Sequence, residues 1–118
     1  MAVTKRLTPD GMREYFDRFT KRFLRNESTD VVDVEVLGEE IGDQMEAEGA
    51  RLLGITYDPK GSTLDLALEH GDARTYRPRE VWVLEEDNGF IRAIEIVGED
   101  GVKKIVRVRR LAVRTRTD

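Results

Sequence analysis

The chain has 118 residues, which is the size of one domain with its own hydrophobic core. It contains no cysteine, so disulfides, thiolate zinc sites and cysteine nucleophiles are excluded. The net charge of −4 excludes a protein that binds nucleic acid by bulk charge alone. No apolar run reaches the roughly 18 residues that span a bilayer, and Met1–Leu7 is not followed by the apolar core of a signal peptide. We therefore expect a cytoplasmic protein.

The first predicted element is an amphipathic helix. Thr8 is the expected N-cap, Pro9 suits the first helical position and Asp10 lies at the positive end of the helix dipole. A lone helix needs an apolar face for its own docking, so we expect this one to cover a side of a sheet and to end between Leu24 and Asn26. The face consists of large apolar residues at helical spacing: Met12, Tyr15, Phe16, Phe19 and Phe23.

The middle of the chain alternates in the way that is typical of strands. Val32, Val34 and Val36 alternate with acidic residues and predict a half-buried strand. Gln44–Gly49 alternates as well and suits a strand, although its Glu, Gln, Met and Ala residues also favour a short helix.

A hairpin is predicted next, from Leu52–Tyr57 and Leu64–Leu68. Its turn is Asp58-Pro59-Lys60-Gly61, in which Gly61 supplies a left-handed bulge residue. Ala73–Pro78 is predicted to be a connection, because proline is rare within a central strand.

Residues 79–111 predict three strands joined by two tight turns. Asn88-Gly89 is typical of a two-residue type I′ loop, a register that sets Val83 opposite Ile94 and Val81 opposite Ile96. Glu99-Asp100-Gly101 suits a three-residue loop that sets Ile94 opposite Val106.

The other face of these strands is partly apolar too, with Trp82, Leu84, Ala93 and Ile105. A sheet that is apolar on both faces has to be covered on both or to curl into a small barrel. The predicted fold is therefore α+β: an N-terminal amphipathic helix packed on a strongly bent antiparallel sheet or meander of six or seven strands, with a half-open small barrel as one form. One domain is predicted over residues 1–113, followed by a frayed polar tail at 114–118.

Charge is distributed unevenly along the chain. Every charged residue from Glu27 to Glu48 is acidic, and every charged residue from Val102 to Arg116 is basic. The simplest interpretation is that the two segments are neighbours in the fold and neutralise each other.

Three stretches carry a resemblance to known proteins: Gly42–Glu48, Leu52–Pro59 (Leu-Leu-Gly-Ile-Thr-Tyr-Asp-Pro) and Arg77–Val81. Together with the amphipathic start around Glu14–Asp17, they resemble an uncharacterised bacterial family of small domains of unknown function. The likeness covers most of the chain. It implies a shared fold and no mechanism, because that family has no established activity.

Few residues offer chemistry. The single histidine, His70, lies beside Gly71 at a predicted turn. Glu39, Glu40 and Asp43 cluster in another turn, where convergent oxygens could hold a hard cation, but a solvated acidic turn is the favoured interpretation. We predict no catalytic residue, no metal site, no cofactor and no enzyme activity.

One surface is a candidate for binding. A small β-sheet with basic and aromatic side chains can hold single-stranded nucleic acid. The candidate residues are Lys103, Lys104, Arg107, Arg109, Arg110, Trp82 and Tyr76. We nevertheless favour a non-catalytic accessory or binding domain, with an unidentified protein partner or self-association between acidic and basic surfaces. Nucleic-acid binding through the basic strand is the alternative, and no membrane partner is expected.

Overall fold

The computed structural model describes residues 1–24, 30–40 and 42–110. These residues form one helix and a single antiparallel sheet of eight strands. In chain order the elements are β1 (Val3–Leu7), α1 (Pro9–Phe23), β2 (Asp30–Gly38), β3 (Gly42–Asp58), β4 (Thr63–Leu68), β5 (Gly71–Tyr76), β6 (Pro78–Glu85), β7 (Ile91–Gly98) and β8 (Lys103–Arg110). The order across the sheet is β1-β6-β7-β8-β2-β3-β4-β5.

The helix follows its sequence signals. Thr8 is the N-cap and Pro9 the first helical residue, and α1 ends at Phe23 with Leu24 as C-cap, while Asn26 lies outside the described residues. The apolar stripe points into the core, where Met12, Phe16 and Phe19 are buried. Burial of each such side chain stabilises the fold by about 1.5–3 kcal/mol.

The long strand β3 bends the sheet. Its first half pairs with β2 and its second half with β4. One continuous strand of 17 residues therefore joins the two parts of the sheet. The register shifts twice against β2 and once, between Leu52 and Gly54, against β4. Each bulge bends a strand and increases its twist. The β4–β5 end of the sheet and α1 therefore enclose one common core with the inner face of β6, β7 and β8.

The number of strands differs from the prediction of six or seven. Gln44–Gly49 is a strand, and it is continuous with the strand predicted at Leu52–Tyr57. Two additional strands, β1 and β5, form the edges of the sheet. The proline argument failed at β5, because Pro78 is the first residue of β6, a position where the missing N–H is tolerated. Since β1 and β5 do not pair with each other, the sheet is open and not a closed barrel.

The turn at Asn88-Gly89 is not the predicted two-residue type I′ loop, but the predicted strand register is observed. Only Gly89 has a positive φ there, and Glu86 N–H bonds to the Phe90 carbonyl, which defines a three-residue loop. A register shift next to Glu85 then restores the predicted pairs Val83–Ile94 and Val81–Ile96.

The second turn of the meander is the predicted three-residue loop. Gly101 has a φ of +83° and Ile94 lies opposite Val106. In the β3–β4 turn, by contrast, the left-handed residue is Ser62, with a φ of +48°, and not Gly61.

Candidate functional site

The acidic and basic segments are neighbours, as the sequence predicted. Strand β2 pairs with β8 over all of its residues but the last, from Asp30 opposite Arg110 to Leu37 opposite Lys103. Each basic candidate residue on β8 has a carboxylate within 4 Å. The ion pairs are Lys103–Glu95 (3.4 Å), Lys104–Glu46 (3.1 Å), Arg107–Glu35 (3.1 Å), Arg109–Asp33 (3.1 Å) and Arg110–Asp30 (3.0 Å).

Two of these pairs are held by more than one hydrogen bond. Arg109 donates to both carboxylate oxygens of Asp33, and this hydrogen bonding lowers the pKa of Asp33 below its ordinary value. Arg110 donates to both oxygens of Asp30, which is fully buried, and the hydrogen bond raises the pKa of Arg110. Because both arginines already donate hydrogen bonds to carboxylates of the same chain, they have fewer donors available for a phosphate backbone.

The two aromatic candidates lie apart. Tyr76 is on the edge strand β5, is 65% exposed and borders a depression of about 360 Å³ together with Lys104. Trp82 is on β6 and borders a different depression of about 310 Å³. The seven residues therefore do not form one continuous surface.

The side chains that were considered for catalysis or metal binding lie apart from one another. His70 is exposed in the turn before β5, and Glu39, Glu40 and Asp43 are exposed around the β2–β3 turn. Among the residues that the structure describes, no three His, Cys, Asp or Glu side chains are placed to hold a metal ion. Within the same residues, every buried polar side-chain atom has a hydrogen-bond partner, so none is left directed into a cavity.

Another candidate surface is the side of the sheet that faces away from α1, here called the outer face. Its centre consists of Trp82, Leu84, Ala93 and Ile105, which are each half-buried and which line the depression around Trp82. They alternate with Val83, Ile94 and Val106, which are buried on the inner face. No described residue outside the sheet lines this depression.

Charges surround the apolar centre in matched numbers. Strand alternation places four cations and four carboxylates of β1, β6, β7, β8 and β2 on the outer face. They are Arg6, Lys103, Arg107 and Arg109, and Asp33, Glu35, Glu80 and Glu95. Three ion pairs join six of these groups. The remaining two flank the indole, since Trp82 Nε1 donates to Glu80 at 3.0 Å and the Arg6 guanidinium is 5.9 Å from the ring.

Sequence reasoning missed the contribution of β1. Thr4 lies opposite Leu84 and Arg6 opposite Trp82, so both extend the outer face. The signal was weak, because only Val3 and Thr4 in this short segment are β-branched.

The fold and the outer face define a small α+β domain with one open sheet surface. The chain belongs to a family of unknown function, DUF5335, whose profile matches residues 3–114. This confirms the resemblance to an uncharacterised family of small domains.

One relative is an uncharacterized protein of Aquifex aeolicus (strain VF5). It is 38% identical over 108 residues, which is 91% of this chain and 93% of the relative. No solved structure matches the chain. No helix within residues 1–24, 30–40 and 42–110 has the length and apolar character needed to cross a membrane.

Proposed function

We propose that the chain is a non-catalytic domain that binds another protein through the outer face. The observation that carries the proposal is the apolar centre of Trp82, Leu84, Ala93 and Ile105, whose half-buried side chains line a depression to which no described residue outside the sheet contributes. The other side of the same strands is closed by α1 and by the bent end of the sheet. Contiguous exposed apolar surface with a polar rim is typical of protein-interaction sites.

The charge pattern restricts the partner. The outer face carries equal numbers of cations and carboxylates, and most of them are already paired within the chain. A polyanion such as RNA would gain little, because its affinity depends on cations that are free to replace counterions. The partner we propose is a folded protein surface that is apolar at its centre and has balanced charge at its rim.

The chemistry of the described residues supports a role without catalysis. Catalytic sites collect groups with perturbed pKa values in a cleft. Here the lowered pKa values of Asp33 and Glu80 have structural causes, which are the hydrogen bonds from Arg109 and from the Trp82 indole respectively.

Site-specific photo-cross-linking tests the proposal. A photoreactive side chain replaces Thr4, at the rim of the outer face, or Leu53, an exposed apolar residue on the β3 bulge that serves as the control position. In extracts of cells that express the chain, we expect protein adducts from position 4 only. Leu84→Glu introduced into the position-4 probe should abolish them, and Leu53→Glu in the same probe should not. Equal adducts from both positions, or position-4 adducts that survive Leu84→Glu, would contradict the proposal.

A further inference from the structure

We infer that the occupant of the outer face is a second copy of this chain, so that two sheets pack face to face in a homodimer. This inference rests on the proposed function and names its partner. It follows from the dimensions of the face, from its charge balance and from the chemistry of the free edge next to it.

The dimensions suit another sheet. Six strands take part in the face: β1, β6, β7, β8, β2 and the first half of β3. At about 4.8 Å between strands and about 3.3 Å per residue, strands of eight residues give a face of about 24 by 26 Å. A single partner helix, about 10 Å wide, would leave more than half of it uncovered.

The area is sufficient for a weak specific dimer. Two such faces bury about 1,200 Å² in total, which is the lower limit of the standard size for specific interfaces. A dissociation constant in the micromolar range is the corresponding expectation. Sheets packed face to face stand about 10 Å apart, which leaves room for Trp82 and Leu84 to interdigitate with side chains of the other copy.

The charge balance permits contact between identical faces. The whole chain carries a net charge of −4, so two copies repel each other on average. On β1, β6, β7, β8 and β2 the outer face has four cations and four carboxylates, so this part of the face carries no net charge to repel its copy. Six of these groups already form ion pairs within each copy, so they need no partner from the other copy. The pairs are Lys103–Glu95, Arg107–Glu35 and Arg109–Asp33.

The neighbouring edge opposes the alternative dimer, in which two sheets would join side by side. The free edge strand β1 has Lys5 at its centre. Two copies of β1 paired antiparallel about that centre would place the two Lys5 side chains opposite each other, and like charges directly opposite are destabilising. This repulsion disfavours a side-by-side dimer that pairs two β1 strands about Lys5.

Sedimentation equilibrium of the purified chain is the test, over about 5 to 500 μM, a range that brackets micromolar dissociation constants. We expect a monomer–dimer equilibrium, and a blue shift of Trp82 emission as the concentration rises, because Trp82 is the only tryptophan and becomes covered. Leu84→Glu should weaken the dimer at least about tenfold. The matched change Leu53→Glu, away from the face, should leave it unchanged.

Salt and cross-linking complete the test. Added sodium chloride should not dissociate the dimer, whereas a dimer of acidic and basic surfaces would weaken with salt. A photoreactive side chain at Thr4 of the purified chain should give adducts of twice the monomer mass. A monomer at all concentrations, or position-4 adducts formed only within one chain, for example with residues 111–118, would overturn the inference. If the chain is a monomer yet its position-4 adducts in extracts behave as proposed, the outer face binds a different protein and only the identity of the partner is wrong.

Discussion

Thr20 supplies a missing strand partner to β3. Its hydroxyl donates to the Ile55 carbonyl and accepts from the Ile55 N–H, both at 3.0 Å. Ile55 is fully buried, and β2 has its last pairing with β3 at Val31–Arg51, so this stretch of β3 has a helix side chain where a strand would otherwise pair. One hydroxyl thus joins α1 to the sheet and satisfies two buried backbone groups.

Thr20→Val keeps the shape of the side chain and removes the hydroxyl. We expect a loss of about 1–3 kcal/mol in the free energy of unfolding, because a buried N–H and a buried carbonyl would lose their partner. Urea denaturation followed by Trp82 fluorescence measures this loss. Thr20→Ser retains the hydroxyl and should keep most of the stability, so equal losses in the two variants would contradict the assignment.

A second residue-scale contact predicts how stability depends on pH. The Tyr15 hydroxyl donates to Glu85 at 2.5 Å, and Lys5 lies 3.2 Å from the same carboxylate. Burial and then the Glu85 hydrogen bond raise the pKa of Tyr15 above 10.0. Burial alone would raise the pKa of Glu85, but the hydrogen bonds from Tyr15 and Lys5 outweigh it and hold that pKa below 4.5.

The directions of the two pKa shifts predict a loss of stability at acid pH and another at alkaline pH. The contribution of Glu85 is present above its ordinary pKa and is lost as the pH falls through the lowered value. The contribution of Tyr15 is present below pH 10 and is lost as the pH rises towards its raised value. Denaturation midpoints measured across pH should therefore fall at both ends. Tyr15→Phe should reduce the alkaline fall, and Glu85→Gln the acid fall. An unchanged alkaline fall in Tyr15→Phe would show that another group causes it.

At the scale of the element, two glycines with open surroundings predict opposite effects of alanine. Gly101 has a φ of +83° in the β7–β8 loop, and Gly11 is helical, and a Cβ at either would meet no atom within 4 Å. Gly101→Ala should destabilise the fold by about 1–2 kcal/mol, because the left-handed conformation is strained for L-residues. Gly11→Ala should stabilise it by about 0.5–1 kcal/mol by reducing the entropy of the unfolded chain. Melting temperatures that shift in the same direction would contradict the assigned loop conformation.

The elements that sequence reasoning predicted are those whose signals are local. The helix has an N-cap, a proline at its first position and an apolar stripe, and each of these depends on neighbours within a few residues. The pairing of Val83 with Ile94 was also predictable, although Asn88 was assigned the wrong conformation. Both strands have to bury the same alternate residues, so a bulge compensated for the longer loop.

The strands that were missed depend on distant pairing. All but one residue of β1 is exposed, and the strand exists because β6 offers it a ladder of partners. On β5 only Ala73 is buried. An edge strand contributes little to the core and therefore leaves little hydrophobic pattern in the sequence. The continuity of β3 through three bulges had no local signal that could distinguish it from two separate strands.

At the scale of the whole molecule, the pairing of β2 with β8 reduces the number of cations that are available to bind a polyanion. The five cations of β8 that could have formed a nucleic-acid site are each in an ion pair. The sequence predicted four of these pairs from the two charge blocks, whereas the partner of Lys103 is Glu95 of β7, outside the acidic block. It could not place Tyr76 and Trp82 relative to the cations, because that depends on the curvature of the sheet.

We expect the intact chain to bind single-stranded RNA weakly at physiological salt. Five free cations would give a slope of about −3.5 when log K is plotted against log salt concentration, and paired cations should give a much shallower slope. Fluorescence anisotropy with a labelled oligonucleotide measures it. Asp33→Asn and Glu35→Gln together should steepen the slope by freeing Arg109 and Arg107. A steep slope in the unmodified chain would instead support the nucleic-acid alternative.

The 17-residue strand β3 has a consequence for how the molecule unfolds. Its two halves complete different regions of the sheet, so neither region keeps all of its partners if the other melts. Heating or denaturant should then produce one all-or-none transition, with the calorimetric and van't Hoff enthalpies in agreement. For the same reason, a backbone nick near Leu52 would separate β1, α1, β2 and half of β3 from the remaining strands, and neither fragment should fold until the other is added.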